Sequence, residues 1–176
     1  MSYYYYLISS LPSLRFGTTP PMRSAAFVAL CGEWLPAAEA AELASAGAGV
    51  AVRATHPDLR AWLAWDAGLR NGLAAARAQR LGRDATPYLQ AEDAPAQEMA
   101  ALLQEQVRLD DPVAAEQAID ALRWRFLEDM AARAQFAFNV ALSYLLRLRI
   151  LERWAALDEE QGAATLARAV EVKEAA

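Results

Sequence analysis

Asp66 and Arg70 lie four residues apart in Trp65-Asp66-Ala67-Gly68-Leu69-Arg70-Asn71, a spacing that lets a carboxylate meet a guanidinium on one helix surface. Asn71 adds donors and an acceptor beside them, and Arg77 follows about two turns on. The apolar positions Leu59, Trp62, Leu63, Leu69 and Leu73 define a stripe that contains Asp66 and borders Arg70 and Arg77. A charged pair on such a stripe is either a packed polar network between helices or a site. The network is the expected reading, because a lone Asp and Arg without a nucleophile, a histidine or a phosphate loop do not assemble a reaction.

Arg147, Arg149 and Arg153, followed by Trp154, form a second group in Leu145-Leu146-Arg147-Leu148-Arg149-Ile150-Leu151-Glu152-Arg153-Trp154. Arginines on so apolar a segment either reach the surface along their aliphatic stems or pair with acids such as Glu128, Asp129 or Asp120. The alternative is a subunit contact, a use for which arginine and tryptophan are favoured. His56 is the single histidine and precedes a proline; Cys31 is the single cysteine and reads as a core residue. Neither a Gly-x-Ser-x-Gly elbow nor a Gly-x-x-x-x-Gly-Lys loop is present. No catalytic, cofactor-binding or metal-ligating set is expected, and the chain reads as a non-enzyme.

The net charge of −5 and the lack of clustered cations argue against nucleic acid as a partner. Lys173 is the only lysine, so the positive charge is almost entirely arginine, whose planar fork suits carboxylate pairing. The longest uncharged stretch near the C-terminal half, Ala134 to Leu146 apart from its interruptions at Gln135, Asn139 and Ser143, is shorter than the roughly 20 residues of a membrane-spanning helix. Without a leader pattern or a cysteine pair, the cytoplasm is the expected compartment.

The elements that must position these residues are helical throughout. Four consecutive tyrosines, Tyr3 to Tyr6, carry more aromatic surface than a fraying terminus would, so residues 1–21 read as a docked segment, with Tyr3 to Leu11 left open between helix and extended chain. A helix from Ser24, capped by that serine, runs to Pro36. A short one covers Ala37 to Ala46 and stops at Gly47 and Gly49. Pro57 to Leu81 is the strongest helix of the first half, closed by Gly82. Further helices are expected from about Ala96 to Leu109, from Pro112 to about Arg133 with Asp111 as N-cap, and from Phe136 to Leu157. The last of these is apolar nearly all round and should be the central element. Ala163 to Val172 forms a final helix before a frayed tail at 173–176. The expectation is one all-α domain over residues 1–176, a bundle of about six to seven helices with the tyrosine segment docked on it.

Three blocks of this pattern carry a resemblance. Tyr3-Tyr4-Tyr5-Tyr6-Leu7-Ile8-Ser9-Ser10-Leu11-Pro12, Trp65-Asp66-Ala67-Gly68-Leu69-Arg70-Asn71 and Tyr144 to Trp154 together resemble a bacterial domain family of unknown function encoded among the subunits of V/A-type ATPases. The family is similar in helical character to the central-stalk C (d) subunit. The resemblance implies a non-enzymatic accessory or stalk-like subunit that links or assembles rotor parts, with ATPase subunits as partners. It also implies a cytoplasmic location, peripheral to the inner membrane through the membrane ring. Asp66, Leu69, Arg70 and Asn71 would be the corresponding packing residues; Arg77 completes the polar network expected with Asp66, Arg70 and Asn71, and Arg147, Arg149, Arg153, Trp154, Tyr3 and Tyr4 are the candidate partner contacts. A soluble helical adaptor unrelated to the ATPase is the alternative.

Overall fold

A computed structural model describes residues 3–49, 54–89, 103 and 111–157. The described residues include the helices α1 (Tyr3–Ser9), α2 (Ser24–Trp34), α3 (Ala37–Ala48), α4 (Pro57–Arg80), α5 (Pro112–Ala132) and α6 (Phe138–Ala156), with a 3₁₀ turn at Thr86–Tyr88. No strand occurs among the described residues, in agreement with the all-α reading. The segments expected to form helices at 96–109 and 163–172, and the tail at 173–176, lie outside the described residues apart from Leu103, which is helical and buried.

Local chemistry sets most helix ends. Pro57 opens α4 behind His56, whose ring nitrogen accepts the Asp58 N–H at 3.2 Å, while Arg77 and Arg80 stand at the negative end. The His56 ring also stacks on Phe138, 3.8 Å between centroids. The Asp111 side chain accepts the Val113 N–H at 2.8 Å at the start of α5. Two ends differ from expectation. Ser24 is the first helical residue of α2 and not its cap, because its N–H and hydroxyl are both taken by Glu152 of α6, at 2.8 and 2.5 Å. Helix α3 runs through Gly47 and stops only at Gly49, whose φ of 68° is the left-handed turn that glycine adopts without strain.

Helix α6 begins at Phe138, two residues later than its apolar run suggests. Phe136 sits at φ 52°, an uncommon conformation for a side-chain-bearing residue, which breaks the chain between α5 and α6. Asn139 stabilises the junction by donating its amide to the Met130 carbonyl at 2.8 Å, which also takes the Arg133 N–H at 3.3 Å where α5 ends.

Helix α6 is the central element and packs against α1, α2, α3, α4 and α5. Ala141, Leu142, Leu145 and Leu148 along it are fully buried, among Leu7, Phe27, Cys31, Leu43, Leu127 and Met130 from the other helices. The amino-terminal segment is a docked helix. Leu7 points into the core, the Tyr4 hydroxyl donates to Glu39 of α3, and the Tyr144 hydroxyl of α6 donates to the Pro12 carbonyl at 3.0 Å. Helix α4 meets α5 through long side chains: Trp65 stacks on Phe126 at 4.3 Å, and Leu69 and Leu73 join Ile119 and Leu103 in a second, smaller core. No helix among the described residues is long and apolar enough to cross a membrane.

Candidate functional site

Where α4, α5 and α6 converge, carboxylates and guanidiniums alternate in one continuous line. Asp66 of α4 receives Arg70 Nε at 3.1 Å and Arg123 Nε at 3.0 Å. Arg123, on α5, turns its other edge to Asp120 at 2.9 Å, three residues earlier on the same helix. Asp120 in turn takes the Arg153 guanidinium and the Trp154 indole N–H, the latter at 2.8 Å, both from α6. Arg153 also reaches Glu116 at 3.5 Å, and Glu116 meets Arg77 of α4 at 3.4 Å. The line starts and ends on α4 and ties all three helices together.

Burial ranks these links. The Asp120 side chain is 2% exposed and Arg123 19%, whereas Arg70, Arg153 and Arg77 are 47%, 44% and 57% exposed. The inner pair is therefore screened least by solvent, and the outer arginines gain little from their carboxylates. Burial alone would lower the Arg123 pKa, but its hydrogen bond to Asp120 and the Asp66 charge outweigh it and leave the value raised.

The sequence-derived candidates are placed as follows. Asp66 and Arg70 do meet, yet the main partner of Asp66 is Arg123, which spacing along α4 could not show. Asn71 is buried on α4, and Arg77 pairs with Glu116 instead of joining Asp66. Arg147 points inward: its guanidinium lies 5.4 Å from the Trp124 ring centre and 3.7 Å from Glu128, and burial lowers its pKa. Arg149 meets none of the three acids proposed for it and donates to the Ala46 carbonyl at 2.9 Å, at the end of α3. Its guanidinium lies over Gly49, 3.4 Å from where a Cβ would stand. Arg153 and Trp154 converge on Asp120. Tyr4 is turned inward to Glu39, and burial, then that hydrogen bond, raises its pKa; the side chain of Tyr3 lies outside the described residues.

Arg123, Glu116 and Glu152 went unnoticed in the sequence. The one signal available was the Asp120-to-Arg123 spacing of three on the apolar face of Ile119, Leu122 and Phe126.

A cleft of about 830 Å³ opens beside this line, bordered by the end of α3, α4, α5 and α6. Five arginines (Arg23, Arg70, Arg123, Arg149 and Arg153) and three carboxylates (Asp66, Asp120 and Glu152) line it, between apolar walls that include Trp62 and Ile150. Among the described residues, no three His, Cys, Asp or Glu side chains are grouped as metal ligands would be.

A family profile described as Protein of unknown function (DUF2764) matches residues 97–174, so the chain carries a DUF2764 domain there. The match takes in α5 and α6 and hence Glu116, Asp120, Arg123 and the arginines of Arg147 to Trp154. Helices α1 to α4, with the tyrosine run and Asp66, lie before it. No match is found among curated protein sequences or among solved structures.

Proposed function

We propose that this chain is a non-enzymatic subunit that works through contacts, as an accessory or central-stalk-like part of a V/A-type ATPase that links or assembles rotor parts. Two features support the reading. The tyrosine run, the Trp65 to Asn71 block and the Tyr144 to Trp154 block resemble the family found among the subunits of such ATPases. The polar groups of the latter two blocks are used in joining helices to one another, which favours a stiff body.

The observation that carries the proposal is an aromatic edge on the outside of the bundle. Tyr5 and Tyr6 are 52% and 55% exposed and Trp34 is 43% exposed, although all three belong to helices packed on the core. Tyr6 lies against Tyr5 at 5.6 Å and Trp34 at 6.3 Å, and Tyr5 against Phe136 at 4.9 Å. Grouped exposed aromatics are the side chains that protein interfaces bury at their centres. We therefore place the ATPase contact first at Tyr5, Tyr6 and Trp34, in addition to the sequence-derived candidates.

The test is affinity capture of the tagged protein from its native host at low salt. Recovery of ATPase subunits, weakened by the Tyr6→Ser and Trp34→Ser substitutions, is the expected result. Recovery of none, from an extract that yields the intact ATPase by another tag, would overturn the reading and favour an adaptor outside that complex.

A further inference from the structure

We propose that the arginine-lined cleft between α3, α4, α5 and α6 receives an acidic, partly apolar peptide segment of a partner protein, with Arg149 and Arg23 binding its carboxylates. The size suits a ligand, since clefts that hold one commonly measure about 300–1,000 Å³, and this one measures about 830 Å³. Its lining has two more positive than negative groups, in a chain whose net charge is −5. The imbalance is local and runs against the composition.

The carboxylates of the lining are already engaged. Asp66 holds Arg70 and Arg123, Asp120 holds Arg123, Arg153 and Trp154, and Glu152 holds the N–H and hydroxyl of Ser24. Arg149 and Arg23 are left. The described bond of Arg149 is to a backbone carbonyl, and that bond, with the close approach to Gly49, fixes the guanidinium in place while other N–H donors remain. Arg23, exposed just before α2, has no carboxylate partner among the described residues. A guanidinium offers a carboxylate two parallel hydrogen bonds, so two such groups in one cleft form a receptor for spaced carboxylates.

Phosphate would satisfy the same fork, but the rest of the cleft disfavours it. The ends of α3, at Ala46 and Gly49, and of α6, at Ala156, border the cavity and bring the negative poles of two helices. With three carboxylates, these oppose a compact, multiply charged ion more than single charges spread along a chain. The apolar walls at Leu59, Leu63, Leu146 and Ile150 give the aliphatic side chains of a peptide a surface that phosphate cannot use.

The proposal draws on the interaction-subunit reading only for the origin of the peptide, and its test is independent of the ATPase. The purified full chain is titrated calorimetrically at low salt with a short synthetic peptide alternating Glu and Leu, with the same peptide carrying Gln for Glu, and with inorganic phosphate. The Glu peptide should bind at least about tenfold more tightly than the Gln peptide, the size expected for charge-assisted hydrogen bonds, and phosphate should not displace it. Arg149→Gln and Arg23→Gln should each weaken binding about tenfold. Arg23→Gln, which removes no described bond, should do so without lowering the melting temperature. Absence of binding, equal binding of both peptides, displacement by phosphate, or an unchanged titration in Arg23→Gln would each overturn the proposal, whatever affinity capture shows.

Discussion

Replacing Asp120 by asparagine keeps the shape of the side chain and removes the charge on which α5 and α6 close. The native carboxylate is 2% exposed and accepts from Arg123, Arg153 and Trp154. An amide has one acceptor oxygen and turns its NH₂ toward groups that can only donate. Hydrogen bonds to a charged group contribute about 1.5–3 kcal/mol each, but the three are not worth their sum. Arg153, 44% exposed, regains water and keeps Glu116, and Arg123 keeps Asp66. No buried charge is left without a partner, so the loss should be about 2–4 kcal/mol, at or below the range for breaking a buried pair outright. Arg70→Ala should cost less than about 1 kcal/mol, because Arg70 is 47% exposed and Asp66 retains Arg123. Urea unfolding followed by tryptophan fluorescence and by circular dichroism, with the slope checked for constancy, measures both. A loss below about 1 kcal/mol for Asp120→Asn, or an equal loss for Arg70→Ala, would refute the ranking of links by burial.

Leu145→Ala, at a fully buried position on α6, should destabilise by about 3–5 kcal/mol, and Leu146→Ala, on the cleft wall, by about 2–3 kcal/mol; the same urea titration reads both. Burial pushes the Cys31 thiol up to about 12, so it should not react with a disulfide reagent at pH 8 in the native protein, and its labelling should follow unfolding. Burial alone would raise the Glu42 carboxyl, but the Thr55 hydroxyl and the backbone N–H groups of His56 and Thr55 outweigh it and hold it below the usual glutamate value. A depressed folded value means that this stabilisation is present above the unfolded pKa of about 4.3 and is lost as pH falls through the folded one; Glu42→Gln should therefore lose stability at pH 7 and show a flatter acid limb in thermal melts.

What the sequence made legible was chiefly what apolar period and punctuation determine. Pro57 and Arg77 framed α4, Asp111 and Pro112 opened α5, and the nearly all-round apolar run of Phe136 to Leu157 marked α6 as central, because each signal acts within a few residues of its effect. The misplaced details depend on distant chain. Ser24 looks like a cap until Glu152, 128 residues later, takes both its donors. Asp66 does pair with Arg70 as the spacing indicates, but only the arrival of α5 adds Arg123 as its more buried partner. The tyrosine run showed that the terminus docks, but which tyrosines face inward depends on the helical turn of α1, which presents Tyr4 and Leu7 to the core and leaves Tyr5 and Tyr6 outside. The cleft was not legible at all, since its lining comes from five separate stretches of chain.

The central proposal is that the chain is a subunit of a V/A-type ATPase and meets it through the aromatic edge. A photo-crosslinking phenylalanine analogue placed at Tyr6 in the native host, with the same analogue at the exposed Tyr88 as a control position, tests it most directly. The account predicts a crosslink from position 6 to a subunit of the V/A-type ATPase, lost when Trp34→Ser is combined with it, and no such crosslink from position 88. A crosslink from position 6 to a protein outside that complex, or none in cells shown to contain the assembled ATPase, would contradict it.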